Sequence, residues 1–451
     1  MASLPDQIRF RLAGGPATAR QLIENIGVSQ PTLSRAIQGM DGELVRLGAA
    51  RSIQYALRDT ARGFGEVPVY RVCSDGTIRA LGDLIPVRAD GFVMREVEGG
   101  VTRFSDSLPW WLLDMRPQGF LGRAYAARYA QGLGLPANVA EWNDSQIMRS
   151  LIAQGQDAVG NLLLGDLARD RFLSAEVPKP LAEAGKGSVY VRLAQEAARG
   201  ELPGSSAGGE QPKFTAYVDT TRGPRHVLVK FTLPEDNAMT ERWRDLLLTE
   251  HHALETLVAS GIRAARSHVV DHGSQRFLEV ERFDRVGPLG RRALFSLESV
   301  EAEFAGQGSA IWPVIAAQLA NERHITPESA ENAALLYAFG TLIGNTDMHN
   351  GNLSFTNGDA LHARPYELAP AYDMLSMGFA PRASGALSNT LLPANLRSSV
   401  PNAIWMRAYS MAEDYLSGLR AERRFSAAFG PCLDSLATHI REAGAKVSRL
   451  G

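Results

Sequence analysis

Polar residues that could do chemistry are concentrated between Leu342 and Ser376, in a part of the chain that is otherwise largely apolar. Asp347 and Asn352 stand five positions apart there, and Asp373 follows alone in an apolar run. A carboxylate can accept the proton of an attacking hydroxyl group, and amide and carboxylate oxygens are ligands that Mg²⁺ prefers. The stretch therefore has the residue types needed for metal-assisted phosphoryl transfer.

The same stretch also has a simpler interpretation, as a polar loop. Asn-Gly pairs at 350–351 and 357–358 are typical of turns. The D-x-x-x-x-N spacing of Asp347 and Asn352 matches the catalytic loop of protein kinases, but the pattern is short and common. Asp347 and His349 form a lone D-x-H pair, which is weak evidence for a transition metal. The elements predicted on either side of this stretch are needed to distinguish the two interpretations.

The composition is that of a globular protein with more than one domain. At 451 residues the chain is long enough for two or three domains, and 45% hydrophobic and 21% charged residues are ordinary proportions. The formal net charge of −2 excludes an overall basic field, so DNA binding would need a local patch. Cys73 and Cys432 form no C-x-x-C unit, and no apolar run resembles a signal core or a membrane span. We therefore expect a cytoplasmic protein with no membrane partner.

Residues 1–60 predict three short helices and a β-hairpin, the order of a winged helix-turn-helix. They contain seven arginines and five acidic residues, so their charge is opposite in sign to that of the whole chain. Short polar side chains and an arginine at the start of the third helix could reach bases and phosphates in the major groove. These predicted DNA-binding residues are Ser29, Gln30, Thr32 and Arg35. The alternative is a winged helix for protein contacts or dimerisation, and a homodimer is common among DNA-bound winged helices.

The remaining chain divides into three predicted parts. Residues 65–200 predict a β-rich and then helical subdomain, residues 201–290 a β lobe that binds nucleotide, and residues 291–451 a helical catalytic lobe. The stretch from Thr60 to Glu66 is expected to be a linker. The predicted fold class is α+β, with a two-lobed, kinase-like arrangement that follows the winged helix-turn-helix.

The predicted β lobe carries two further elements that could meet a nucleotide. A Gly-rich loop between Gly204 and Lys213 could bring backbone N–H groups to phosphate oxygens, although it is not a Walker A loop. Lys230 lies inside a predicted strand and could pair with the α- and β-phosphates. Glu250 on the following helix could orient this lysine, and Glu255 is the alternative partner.

Together these motifs resemble the HipA family of bacterial serine/threonine kinases, the toxins of toxin–antitoxin systems, including its HipH-like and YjjJ-like members. The resemblance spans roughly residues 65–430, and the combination is specific although each motif alone is not. The winged helix-turn-helix is a departure, because family toxins usually have a separate helix-turn-helix antitoxin. The motifs in chain order are SSAGGEQPKF, HVLVKF, LTEHHALETLVASGI, EVERFDR, LIGNTDMHNGNLSF and LAPAYDMLS.

The resemblance implies a role for each matching residue. Asp347 would be the catalytic base, and Asn352 and Asp373 would hold Mg²⁺. Lys230 would contact the phosphates of ATP, oriented by Glu250. The other ATP-binding residues would be Ala207, Gly208 and Gly209 in the Gly-rich loop, Glu281 and Phe283 at the hinge, Asp284 near the ribose, His349 near the phosphates, and Tyr372.

The resemblance also implies an activity and partners. We expect an ATP- and Mg²⁺-dependent protein serine/threonine kinase that acts as a toxin on a cellular protein, which in the family is an aminoacyl-tRNA synthetase. Ser205 would be its autophosphorylation site, with Ser206 as the adjacent alternative. DNA binding through residues 1–60 would let it control its own gene, and a separate antitoxin is a further candidate partner. The alternative is a DNA-binding transcriptional regulator whose kinase-like region senses nucleotide without catalysis.

Overall fold

The computed structural model of the chain describes residues 2–48, 53–200, 211–357 and 364–449. Within these residues, antiparallel sheets dominate the first part of the chain and α-helices dominate the last part. The β-rich lobe and the helical lobe that the sequence predicts are both present. The α+β, two-lobed fold class is therefore confirmed.

The N-terminal unit consists of three helices and a small antiparallel sheet. Its elements are α1 (Leu4–Leu12), β1 (Ala17–Thr18), α2 (Ala19–Ile26), α3 (Gln30–Gln38), β2 (Leu44–Leu47) and β3 (Gln54–Leu57). The strand order is β1-β3-β2. Gly27 ends α2 with a φ of 76°, in the left-handed region that glycine adopts without strain. The Ser29 hydroxyl then accepts a hydrogen bond from the Thr32 amide at 3.4 Å and caps α3.

The segment expected to be a linker is bound to the sheet that follows it. Arg62 is buried, and its guanidinium group donates hydrogen bonds to the Asp59 carboxylate at 3.1 Å and to the Val87 carbonyl at 2.5 Å. The Arg88 amide donates to the Leu57 carbonyl at 2.8 Å. A small apolar cluster also joins the N-terminal unit to the next sheet, and it contains Val45, Leu47, Ala56, Ile85, Val87 and Val93. The N-terminal unit is thus packed against the middle of the chain.

The middle of the chain is a five-stranded antiparallel sheet with helices. Its elements are β4 (Val67–Val72), β5 (Ile78–Val87), β6 (Gly91–Glu96), β7 (Thr102–Ser105), α4 (Gly119–Leu133), α5 (Asp144–Gln154), β8 (Leu162–Leu164), α6 (Gly165–Ser174) and α7 (Lys186–Ala198). The strand order is β7-β6-β5-β4-β8. A 3₁₀ helix at Trp110–Met115 precedes α4, and the Trp110 ring lies 5.0 Å from the Phe295 ring, so the aromatic run serves packing.

The β lobe is a four-stranded antiparallel sheet covered by a helix on each face. Its elements are β9 (Lys213–Val218), β10 (Arg225–Phe231), α8 (Ala238–Ala259), β11 (Ser267–His272) and β12 (Gln275–Glu281). The strand order is β11-β12-β10-β9. Because successive side chains of a strand point to opposite faces, Phe277 packs in a cluster with α7 while Leu278 packs in the cluster that contains α8.

The last part of the chain is a helical lobe with short strands. Its elements are β13 (Arg285–Val286), β14 (Gly290–Arg291), β15 (Phe295–Ser296), α9 (Leu297–Phe304), α10 (Trp312–Asn321), α11 (Pro327–Leu342), β16 (Ser354–Thr356), β17 (Glu367–Leu368), α12 (Asn402–Ala421) and α13 (Gly430–Val447). Strand β16 pairs with both β15 and β17. This pairing brings Asn352, just before β16, close to Asp373, shortly after β17. Among the helices of the described ranges, none has the length and apolar character needed to cross a membrane.

Candidate active site

A cavity of about 410 Å³ lies between the β lobe and the helical lobe. One wall is apolar and includes Leu228, Val280 and Phe283, whose ring lies 5.7 Å from the ring of Tyr372. The opposite end is polar. The predicted site residues that line the cavity are Glu281, Phe283, Asp284, His349, Asn352, Tyr372 and Asp373. A cavity with an apolar wall and a charged end is suited to a nucleotide.

Lys230 on β10 is buried, and its ammonium group binds two carboxylates. Nζ donates hydrogen bonds at 2.7 Å to both carboxylate oxygens of Glu250, and it also contacts Oδ1 of Asp373. Glu250 is fully buried on α8, whereas Glu255, the alternative partner, is exposed. Burial by itself lowers the pKa of Lys230, but attraction to Asp373 and Glu250 outweighs it and raises that pKa. The lysine therefore stays charged.

A second buried lysine, to which the sequence pattern assigned no role, lies beside Lys230. Lys213 on β9 is directly opposite Lys230 on β10, and it lines the cavity. Two cations opposite each other on neighbouring strands repel, and the carboxylates of Glu250 and Asp373 balance them. Burial raises the pKa of Asp373, but Lys230 and Lys213 outweigh it and hold this pKa below its usual value. The sequence signal for Lys213 is its place at the start of a strand, directly after the Gly-rich loop.

The segment between α11 and β16, residues 343–353, is fixed by hydrogen bonds from asparagine side chains; we call it the catalytic segment. The Asn345 side chain accepts from the Asp347 amide at 3.0 Å and donates to the Asp373 carbonyl at 3.4 Å. The Asn352 Nδ2 donates to the Asp347 carbonyl at 2.8 Å. Partial desolvation raises the pKa of Asp347, the charge of His349 lowers it, and the charge of Asp373 raises it, with a net upward shift. Asp347 is thus held in place with its proton affinity increased.

The polar end of the cavity fits a hard divalent cation. The Asn352 amide nitrogen is used within the catalytic segment, so its oxygen remains for a cation, and Asp373 supplies carboxylate oxygen. Asp373 has a φ of 52°, and such left-handed backbone in a residue other than glycine is typical of functional sites. Across the described ranges, no group of three or more His, Cys, Asp and Glu could hold a metal, so Asp347 and His349 have no third ligand for a transition metal.

His349 and Tyr372 both hold the backbone around Gly351. The His349 ring nitrogen Nδ1 accepts a hydrogen bond from the Gly351 amide at 3.1 Å. The Tyr372 hydroxyl donates to the Gly351 carbonyl at 2.7 Å and lies 2.6 Å from the Ser354 hydroxyl. Both side chains line the cavity at the same time. They therefore shape the polar end in addition to their predicted contacts with ATP.

Two of the predicted hinge and ribose residues in the ERFDR motif, Glu281 and Asp284, bind arginines. The Asp284 carboxylate accepts hydrogen bonds from Arg282 at 2.9 and 3.0 Å, from Arg285 at 2.7 Å and from the Gly160 amide at 3.2 Å. Burial raises the pKa of Asp284, but the two arginines outweigh it and hold this pKa far below its usual value. Glu281 binds Arg222. These bonds already engage both carboxylate oxygens of Asp284. Its contact with ribose stays a prediction.

Residues from the middle of the chain also line the cavity, and the sequence pattern did not reveal them. They are Asp114, Gln118, Gly119 and Val159. Asp114 accepts hydrogen bonds from the Ser296 amide at 2.7 Å and the Ser299 hydroxyl at 2.9 Å, which ties the 3₁₀ helix to the start of α9. Burial raises the pKa of Asp114. The sequence signal for Asp114 is a lone carboxylate within the aromatic run before α4.

The other predicted site residues lie outside this cavity or outside the described ranges. Ser29, Gln30 and Arg35 are exposed at the N-terminal half of α3, and Thr32 is half-buried. The predicted loop residues Ser205, Ser206, Ala207, Gly208 and Gly209 are outside the residues that the structure describes. The roles assigned to these residues stay predictions.

Comparisons with known proteins identify the family. The family model of the YjjJ-like toxin middle domain matches residues 64–173, and that of the HipA-like C-terminal domain matches residues 205–429. Toxin YjjJ of Escherichia coli (strain K12) is 37% identical over 441 residues, which cover 98% of this chain and 98% of that protein.

Two solved structures resemble the chain more distantly. The Shewanella oneidensis MR-1 complex of HipA, HipB and operator DNA matches with a TM-score of 0.46 and 15% identity, over 82% of this chain and 96% of that chain. The Helicobacter pylori proinflammatory kinase CtkA matches with a TM-score of 0.38 and 13% identity, over 54% of this chain and 93% of that chain. On the sequence matches, the chain belongs to the YjjJ-like toxins of the HipA-like family.

Proposed function

We propose that the chain is an ATP- and Mg²⁺-dependent protein serine/threonine kinase. The observation that carries the proposal is the buried cluster of Lys230, Glu250 and Asp373, of which Asp373 lines the cavity. A strand lysine held by a helix glutamate is the arrangement with which kinases bind the α- and β-phosphates. The apolar wall beside the hinge would take the adenine ring, so that the triphosphate points to the two buried lysines.

The proposed transfer step uses the catalytic segment and the two lysines. The acceptor hydroxyl oxygen forms a bond to the γ-phosphorus while the bond from that phosphorus to the β–γ bridging oxygen breaks, and Asp347 takes the hydroxyl proton. Lys230 and Lys213 stabilise the negative charge that stays on ADP. Asn352 and Asp373 would hold Mg²⁺, which when bound offsets phosphate charge. The upward pKa shift of Asp347 makes it a stronger base than an aspartate of ordinary pKa.

The direct test is phosphate transfer by the purified chain. With ATP and Mg²⁺, we expect phosphoserine or phosphothreonine on the chain itself and on protein added from a cell lysate, and we expect EDTA to remove this transfer. Mass spectrometry of the products locates each phosphate and separates Ser205 from Ser206. A chain that binds ATP but transfers no phosphate would instead support the regulator that only senses nucleotide.

We also propose that residues 1–60 bind DNA through α3, because Ser29, Gln30 and Arg35 are exposed at its N-terminal half. Arg35→Ala is expected to weaken binding to the DNA upstream of the chain's own gene. If Arg35 contacts a phosphate, the magnitude of the slope of the logarithm of the association constant against the logarithm of the salt concentration should become smaller by about 1. Titration of fluorescent DNA at several salt concentrations measures both effects. As a control, Arg441→Ala removes an exposed arginine from α13 and should change neither the affinity nor the salt dependence. Equal effects of the two variants would argue against DNA binding through α3.

A further inference from the structure

Four exposed apolar side chains lie at the start of α8 and on the loop that packs against it, and we call them the apolar strip. Their exposed fractions are large for side chains of this kind. They are Leu233 at 42%, Met239 at 44%, Leu387 at 38% and Leu392 at 84%. Exposed apolar side chains that form a contiguous patch mark a place where a partner binds.

Contacts join the strip to the start of α8 at one end and to the catalytic segment at the other. A Cβ atom on Gly385 would stand 3.4 Å from Sδ of Met239, so the loop that carries Leu387 lies against α8. Leu391, the neighbour of Leu392, packs on Gly344 of the catalytic segment, where a Cβ atom would stand 2.7 Å from its Cδ1. The strip therefore runs from the catalytic segment to the β lobe.

The loop that carries Leu387 and Leu392 is held in a defined position. The buried Arg242 guanidinium group donates to the Phe379 carbonyl at 3.0 Å and to the Ser388 carbonyl at 2.9 Å. The same group donates to the Asn389 side chain at 2.6 Å. These bonds fix the loop to α8. Leu387 and Leu392 are therefore exposed on a loop with a defined position.

The strip opens into a cavity of about 520 Å³ at the start of α8. Its lining is mainly apolar and includes Pro212, Phe231, Leu233, Met239 and Trp243. Pro212 directly precedes Lys213, and Phe231 directly follows Lys230. At a rise of about 3.3 Å per strand residue, this cavity begins within roughly 10 Å of the lysines of the active-site cleft.

Acidic residues line this cavity or stand next to lining residues in the sequence. Glu235 lines the cavity, and Glu241 lies in the first turn of α8. Within the described part of the chain, neither carboxylate has a hydrogen-bond or ion-pair partner. Asp236 is 94% exposed and binds Arg244 at 3.3 Å. A cationic side chain of a partner would therefore find unused negative charge beside the apolar lining.

We propose that the apolar strip and its cavity bind the segment of the protein substrate that carries the acceptor hydroxyl. An apolar side chain of that segment would enter the cavity, and a lysine or arginine next to it would meet Glu235 and Glu241. This inference rests on the proposed kinase function. An extended peptide covers about 3.3–3.6 Å per residue, so an anchor several residues from the acceptor serine or threonine can reach the cavity.

A library of 15-residue peptides with a central serine tests the proposal. In each sub-library one of the other positions is fixed as a single residue type, and together the sub-libraries cover every position and every residue type. The full-length chain with ATP and Mg²⁺ is expected to favour an apolar residue at a defined distance from the serine by about 10-fold or more, with Lys or Arg beside it. Leu233→Ser combined with Met239→Ser should abolish the apolar preference and leave the rate on peptides without an anchor unchanged. Glu235→Lys should replace the preference for Lys or Arg by one for Asp or Glu.

A matched control is Val97→Ser combined with Val101→Ser, which removes two exposed apolar side chains far along the chain from the strip. It should keep the preference. The proposal is overturned by a chain without an apolar preference, by a preference that survives in the Leu233/Met239 double variant, or by phosphate on the chain but on no peptide. A molar mass that halves in the double variant would assign the strip to a second copy and also overturn it. Phosphate on neither peptide nor chain would instead refute the kinase function.

Discussion

Asp347→Asn is expected to lower the rate of phosphate transfer by about 10²–10⁴-fold, the range that a positioned general base contributes. The substitution keeps the size of the side chain and the hydrogen bond from the Asp347 amide to Asn345, so the catalytic segment should keep its shape. It removes only the carboxylate that takes the proton in the proposed mechanism. Transfer is measured with labelled ATP, and ATP affinity is measured by calorimetry.

The affinity of the Asp347→Asn variant for ATP should stay within a few-fold of that of the unchanged chain, because the substitution leaves Lys230 and Lys213, the proposed phosphate-binding residues, in place. Asp434→Asn on the exposed side of α13 is the control, and it should affect neither quantity. Undiminished phosphate transfer by Asp347→Asn would refute the assignment of the base. A loss of transfer together with a loss of ATP binding would show that Asp347 serves to shape the site.

Lys230→Met is expected both to abolish phosphate transfer and to destabilise the fold. Removal of one partner from a buried ion pair typically costs about 3–5 kcal/mol, because the remaining charge has no counter-charge. Here Glu250 is fully buried, and Asp373 would remain as a second carboxylate close to it. The free energy of unfolding, from urea titration followed by circular dichroism, should therefore fall by about this amount.

A second substitution separates the two effects of Lys230. Lys230→Met combined with Glu250→Gln removes the uncompensated carboxylate of Glu250, so most of the lost stability should return while phosphate transfer stays absent. Lys446→Met on the exposed surface of α13 controls for the loss of a lysine as such. An unchanged free energy of unfolding in Lys230→Met would contradict the balance of charge in the buried cluster. Restored transfer in the double variant would contradict the role of Lys230 toward ATP.

The order of local elements could be predicted from the sequence because it depends on short-range patterns. The preference for Glu250 over Glu255 as the partner of Lys230 also follows from such a pattern. Glu250 stands four residues after Leu246 and four before Leu254, both fully buried, so it shares the inner face of α8. Glu255 is out of phase with that face. Helical periodicity therefore indicates Glu250 as the partner of Lys230.

The cavity wall from the middle of the chain could not be predicted in this way. Asp114 meets Ser296 across 182 residues of sequence, and Gly160 meets Asp284 across 124 residues. No local periodicity encodes such pairs, because they depend on how whole elements pack. The same reason applies to Arg62, which lies among turn-forming residues typical of a linker and yet is buried against Val87. Sequence patterns predicted the chemical groups of the site, and tertiary packing supplied the frame that holds them.

The packing of the N-terminal unit against β5 has a consequence for any DNA on which the chain assembles. Separation of the two would expose the shared apolar cluster and break the bonds of Arg62, so the unit cannot swing freely on a tether. Two copies side by side on a duplex would then have to fit as whole 48.9 kDa bodies. The width of the kinase-like part of each copy would then set the minimum distance between the two DNA half-sites. The face of the duplex that each copy occupies would determine the direction in which its cleft opens.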